Sequence, residues 1–141
     1  MAVLTNMCMI QDTHTGKVLV QKREKSWKGL AFPGGHIELG ESIQESVIRE
    51  IKEETGLDVW DITLCGVKNF DYNNDRYVVF CYTTQVFSGE LLEKTAEGEL
   101  SWVYLNELDK STVSPTFLDM LPLFFEDKQE LYYKQDAPLY Y

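Results

Sequence analysis

Cysteine is scarce in this sequence: Cys8, Cys65 and Cys81 are the three in 141 residues. The number is odd and no two are close, which argues against a disulfide framework and against a CxxC zinc site. A reduced, cytoplasmic setting is the simplest reading. No apolar run approaches the roughly 20 residues that cross a bilayer. The opening MAVLTNMCMIQD lacks the basic stretch of a signal peptide and reads as a first strand, so no membrane partner is expected. Repeats, low-complexity tracts and linkers are missing as well. Positive charge is in short supply, 13 Lys and Arg against 23 Asp and Glu, for a net charge of -10. Such a chain repels duplex DNA and other long nucleic acids overall. A small anionic ligand stays compatible where cations or metal are concentrated at its site.

What is present suits one domain over residues 1–141, since 44% hydrophobic and 13% aromatic residues supply a sizeable core. The basic residues cluster. Lys17, Lys22, Arg23, Lys25 and Lys28 share KVLVQKREKSWK with a single acid, Glu24. Such a run is a solvated strand end or a phosphate clamp, and it leads straight into Phe32-Pro33-Gly34-Gly35. Residues 3–11 and 17–22 predict two strands joined as a hairpin through His14-Thr15-Gly16. Residues 43–55 predict a helix, with Ser42 as N-cap, Glu45 as its capping-box partner and Gly56 past its end. Extended segments follow at 57–70, 76–87 and 99–105, with a turn at 72–75. A second, apolar helix is expected at 116–126, then a short strand in QELYYK and a tail in APLYY. The alternation suggests an α/β layered domain.

The first helix carries acids in an awkward place. At about 100° per residue, with Ile43 at zero, the apolar Ile43, Val47, Ile51 and Ile48 centre near 70°. Glu53, Glu50 and Glu54 fall near 280°, 340° and 20°, running from the surface into the buried edge. A carboxylate leaving water needs a partner, and no lysine in the helix shares that sector. A cation from outside the helix is expected there. A hard divalent ion such as Mg²⁺ meets that demand; an Arg or Lys from elsewhere is the competing reading.

Residues 35 to 57 resemble the Nudix box, G-x5-E-x7-R-E-U-x-E-E-x-G-U with U aliphatic. Gly35, Glu41, Arg49, Glu50, Ile51, Glu53, Glu54, Gly56 and Leu57 fill every fixed position. The resemblance implies a Nudix α/β/α sandwich around a mixed central β-sheet. It also implies hydrolysis of a nucleoside diphosphate linked to another group. It implies Mg²⁺, or Mn²⁺ in its place, on Glu50, Glu53 and Glu54, with the Gly35 carbonyl as a further ligand. Either Glu97 or Glu99 is a candidate fourth acid, and Glu53 or one of these two the base that takes a proton from water. Arg49 is expected to pair with Glu41 and orient the loop. Gly34 and Gly35 let the backbone approach metal or phosphate, while Arg23 and Lys28 meet phosphate. Trp27, Phe32, Phe70, Phe80 and Trp102 are candidates for stacking a base, with a core role competing at each.

The pattern WKGLAFPGGHIELGES, with SWVYLNEL later, resembles MutT-type enzymes, which hydrolyse oxidised purine triphosphates such as 8-oxo-dGTP to monophosphate and pyrophosphate. Three departures stand against it. His36 occupies a position where relatives commonly have Lys. The segment Ser114-Pro115-Thr116-Phe117 lacks the Asn or Asp that often reads the base. Asn69, Asp71 and Tyr72 are substitutes for that role or plain turn residues. ADP-ribose, dinucleoside polyphosphates and 5′-triphosphate RNA are the alternative substrates, and a non-catalytic nucleotide sensor is a remote one. The pairs Tyr132-Tyr133 and Tyr140-Tyr141 offer a homodimer contact or belong to a flexible tail.

Overall fold

The second half of the first strand is buried without alternation from Asn6 to Ile10, the signature of a strand covered on both faces. A computed structural model describes all 141 residues and shows what covers it. The elements are β1 (Ala2–Ile10), β2 (Val18–Arg23), β3 (Gly29–Ala31), α1 (Ile43–Thr55), β4 (Asp58–Trp60), β5 (Thr63–Tyr72), β6 (Asp75–Thr84), β7 (Val86–Ser88), β8 (Lys94–Thr95), β9 (Gly98–Val103), α2 (Leu121–Phe125), β10 (Glu130–Lys134) and β11 (Ala137–Tyr140). A mixed sheet runs β1-β6-β5-β10-β11, parallel at β1/β6 and β5/β10. A second sheet runs β3-β2-β9-β8, and β4 pairs with β7. One apolar core gathers Cys8, Ile10 and Leu19 with Val47 and Ile51 of α1. The other gathers Met7, Met9 and Val20 with Phe32, Phe117, Met120 and Leu123. This is the expected α/β layering. No helix is long and apolar enough to cross a membrane.

Four expectations change. The hairpin of β1 and β2 exists only at its turn, where Gln11 bridges Val18. Beyond it the strands part into different sheets, because Val18, Leu19 and Val20 are all fully buried and need cover on both faces. The long second helix shrinks to a 3₁₀ turn at Leu118–Met120 and the five-residue α2. Thr116 has φ of 65°, and Pro122 has no N–H to bond back into an upstream turn, so a helix can start there but not pass through. The APLYY tail is strand β11, antiparallel to β10. Tyr132, Tyr133 and Tyr140 are therefore half-buried, and only Tyr141 is exposed.

α1 forms as expected. Ser42 and Glu45 exchange both capping-box bonds at 3.0 Å, and Gly56 closes the helix at φ 82°. The buried face is shifted, however. It holds Ser46, Val47, Ile51 and Thr55, while Ile48 is exposed. The arc centres near 30° rather than 70°, which draws Glu50 and Glu54 further in. Ser46 explains the shift: its hydroxyl takes a 2.9 Å bond from Asn6 Nδ2 of β1, so a polar position packs on the sheet.

Candidate functional site

Asn6 ties three elements together. Its N–H donates to the Gly35 carbonyl at 2.8 Å, its Oδ1 accepts from Gly35 N–H at 3.1 Å, and its Nδ2 reaches α1 through Ser46. The glycine loop is thereby pressed between β1 and α1. A methyl group at Gly34 would overlap the Asn6 carbonyl oxygen, and one at Gly35 would overlap the Glu50 carboxylate. Both glycines are needed for close approach and not for a left-handed backbone.

Arg49 organises the other side. It grips Glu41 with two bonds, 2.9 and 2.7 Å, and donates to the His36 carbonyl at 3.0 Å. That pairing was expected. The same guanidinium also donates to Glu50 at 2.8 Å and Glu53 at 3.1 Å, so the cation sought outside the helix for these two acids comes from within it. The Arg49 bonds, with the Glu38 N–H, hold the Glu41 carboxyl down at about 2. Glu41 first, then Glu50 and Glu38, hold the Arg49 guanidinium firmly charged.

Glu54 differs. Its only hydrogen-bond donor is Gln21 Nε2, at 3.2 Å. Burial raises its pKa, as do the charges of Glu97, Glu50 and Glu53, while the Gln21 bond opposes the shift. Arg23 faces this corner; burial lowers its pKa and Glu97 and Glu54 pull it back up.

These groups form one end of a cavity of about 790 Å³. Gly34, Gly35, Glu50, Glu54, Arg23, Glu97 and Phe32 all line it. Glu53, Arg49, Glu41, Lys28 and Glu99 do not. Lys28 and Glu99 are exposed, and Glu53 is 57% exposed and turned to Arg49. Of the two candidate loop acids, then, Glu97 is the one in the wall. Phe32 shows only an edge, since its ring packs against Phe117 and Phe124 in the core. Trp27 and Phe70 line the cavity, whereas Phe80 and Trp102 pack in the α1 core. Asp71 and Tyr72 reach the rim, but Asn69 is spent on Glu130, the Leu131 carbonyl and Arg76.

A family model described as NUDIX domain matches residues 3–124. The chain belongs to the Nudix family. It is 32% identical over 113 residues to the uncharacterized Nudix hydrolase YvcI of Bacillus subtilis, covering 77% of this chain and 70% of that one. It is 35% identical over 96 residues to an ADP-ribose pyrophosphatase of Methanocaldococcus jannaschii, covering 66% of this chain and 57% of that one. An 8-oxo-dGTP diphosphatase of Proteus vulgaris is 31% identical over 88 residues, covering 61% of this chain and 79% of that one. The crystal structure of a MutT protein from Bacillus halodurans superposes with a TM-score of 0.77 at 24% identity, over 97% of this chain and 94% of that one, which shows a shared fold. Nudix membership makes the chain a hydrolase.

The Nudix carboxylates suit a hard cation without being gathered for one. No three His, Cys, Asp or Glu converge on a point, because Arg49 stands between Glu50 and Glu53. Glu54 is short of positive charge, and the missing Cβ of Gly35 leaves the Glu50 carboxylate against the loop backbone. Oxygen donors of this kind fit Mg²⁺ or Mn²⁺, which commonly takes one or two carboxylates and fills its shell with water and substrate phosphate.

Three residues escaped sequence reasoning: Asn6, Gln21 and Lys68. Each is a polar residue on a strand, and each is buried. Lys68 is the strongest case. It is 7% exposed and makes no ion pair; its ammonium donates to Thr116 Oγ1 at 2.7 Å. The rings of Phe70 and Tyr133 each lie 5.6 Å from it. Burial lowers its pKa to about 8, with Cys81 and Asp119 pulling the other way.

Proposed function

We propose that this Nudix hydrolase is a metal-dependent nucleoside triphosphate pyrophosphohydrolase of the MutT type. On this reading one domain over residues 1–141 cleaves oxidised purine nucleotides such as 8-oxo-dGTP to monophosphate and pyrophosphate. The observation that carries it is the polarity of the cavity. Glu50, Glu54, Arg23 and the glycine loop stand at one end, and the rings of Trp27, Phe70, Tyr72 and Tyr77 line the same space. Such a cavity takes a molecule with phosphates at one end and a flat base at the other.

Glu50 and Glu54, with Glu53 once Arg49 yields it and the Gly35 carbonyl, would hold Mg²⁺ or Mn²⁺, which would supply charge neutralisation on phosphate and a more acidic water. The residues of the chain do the rest. Arg23 donates to phosphate oxygens and steadies the leaving group. Gly34 and Gly35 keep the loop backbone close to the phosphates. Glu54, with its raised pKa, or Glu97 beside it, takes the proton of the attacking water. Arg49 and Glu41 hold the loop against α1 and act as positioning residues.

Product chromatography tests this. The protein is incubated with Mg²⁺ and separate pools of 8-oxo-dGTP, ordinary deoxynucleoside triphosphates, ADP-ribose, a dinucleoside tetraphosphate and 5′-triphosphate RNA, beside Glu54→Gln. Pyrophosphate and 8-oxo-dGMP from the wild type alone is the expected result. Preference for ADP-ribose or the dinucleotide would keep the hydrolase and overturn the MutT-type substrate.

A further inference from the structure

We propose that Lys68 reads the base of the bound nucleotide and selects purines that present an oxo group, as guanine and hypoxanthine do, over those that present an amino group. This rests on the nucleotide-hydrolase reading above. Lys68 stands in register with Val79 of β6, and Val79 with Thr5 of β1, which bridges to His36 beside the glycine loop. Two strand spacings, about 10 Å, thus separate Lys68 from the β1 edge where the phosphate end begins. That is the scale of a nucleotide. The cavity wall near Lys68 is aromatic: Phe70 and Tyr77 stack at 5.3 Å, and Trp27 leans on Tyr72 and Tyr77 at 5.7 and 5.9 Å. Trp27 is held over them with φ of 46° and its carbonyl bonded by the Ser114 hydroxyl.

A lysine here offers donors and no acceptor. One is used on Thr116, whose hydroxyl gives its own proton to the Pro115 carbonyl at 2.6 Å and so must accept from Lys68. No carboxylate lies within ion-pairing distance of the ammonium. Burying such a charge unpaired is costly, so its remaining N–H groups call for an oxygen from a ligand. A purine oxo group supplies one. An exocyclic amino group turns hydrogens toward the ammonium and leaves both unsatisfied, the asymmetry by which buried polar groups discriminate most sharply. The segment 114–117, which lacks Asn or Asp, takes part through the Thr116 hydroxyl that orients Lys68.

Inosine and adenosine triphosphates differ only on this edge of the base, a 6-oxo group beside N1–H against a 6-amino group beside a bare N1, and their kcat/KM ratio is the measurement. The wild type is expected to favour inosine triphosphate by about tenfold or more. Lys68→Met, which keeps length and apolar packing, should bring the ratio near one with its melting temperature unchanged or raised; a merely structural lysine would leave the ratio alone. Equilibrium titration of tryptophan fluorescence with inosine and adenosine monophosphates reads the same preference without catalysis. Turnover with a ratio indifferent to Lys68→Met overturns the inference and leaves the hydrolase reading standing. A Lys68-dependent binding preference with no turnover of any triphosphate supports the inference and overturns that reading. No preference in either assay overturns it outright.

Discussion

At the residue scale the site is a set of charges with unequal partners, and the inequality predicts behaviour. Glu54 lacks a cationic partner, and burial raises its pKa. A raised carboxyl pKa means that the ionised form is less favoured folded than unfolded, so at neutral pH the charge destabilises the fold. Glu54→Gln should therefore melt higher than the wild type without metal. The wild type should gain about 1.4 kcal/mol at Mg²⁺ tenfold over its dissociation constant, and Glu54→Gln little. Calorimetry across a Mg²⁺ series checks both, and hydrolysis should fall roughly 100-fold or more, since electrostatic help from a metal is worth several kcal/mol. Glu41 is the opposite case. Its carboxyl is held at about 2 against an ordinary 4.5, first by Arg49. That stability is present above 4.5 and is lost as pH falls from there through about 2. Glu41→Gln should lack this acid loss, so the two proteins' melting temperatures converge as pH drops through that window.

At the element scale the helix and its loop act as one device. α1 is specified locally by Ser42, Glu45 and Gly56, all legible in the sequence because capping depends on near neighbours. Its rotation was less legible. The apolar stripe put Ile48 inside, whereas the Asn6–Ser46 bond turns Ser46 inward and leaves Ile48 exposed; pairing across 40 positions leaves no local trace. The glycine loop gives the matching prediction. Gly35→Ala places a methyl on the Glu50 carboxylate, a side chain that can swing away, so activity should fall much further than stability. Gly34→Ala places it on the Asn6 backbone, which cannot move without β1. Its cost should exceed about 2 kcal/mol. Urea unfolding beside product formation separates the two: equal stability losses would contradict this division of labour.

On the scale of the whole molecule, the order of strands decides what the cavity can recognise. On the proposed reading, the acids and glycines of the phosphate end were legible because the Nudix box is contiguous. At the base end Trp27 and Phe70 were legible, but Lys68 was missed and Tyr133 reads from sequence as a dimer or tail residue, because that wall is assembled from separate segments. Part of that far wall lies beyond residues 3–124 that the family shares. β10 docks parallel on β5, aligning Leu131 with Lys68, and Tyr133 lies over the Lys68 ammonium while its hydroxyl bonds Asp119 at 2.6 Å. If Lys68 reads the base as proposed, recognition of the base is coupled to docking of the last two strands. Leu131 is fully buried in the core beside α2, so Leu131→Ala should cost about 2–5 kcal/mol. Since β10 carries no residue of the phosphate end, the folded fraction of that variant should keep its hydrolysis of inosine triphosphate better than its preference over adenosine triphosphate. Steady-state kinetics below the variant's unfolding transition checks this: a loss of rate with the preference intact would mean that β10 supports the phosphate end after all.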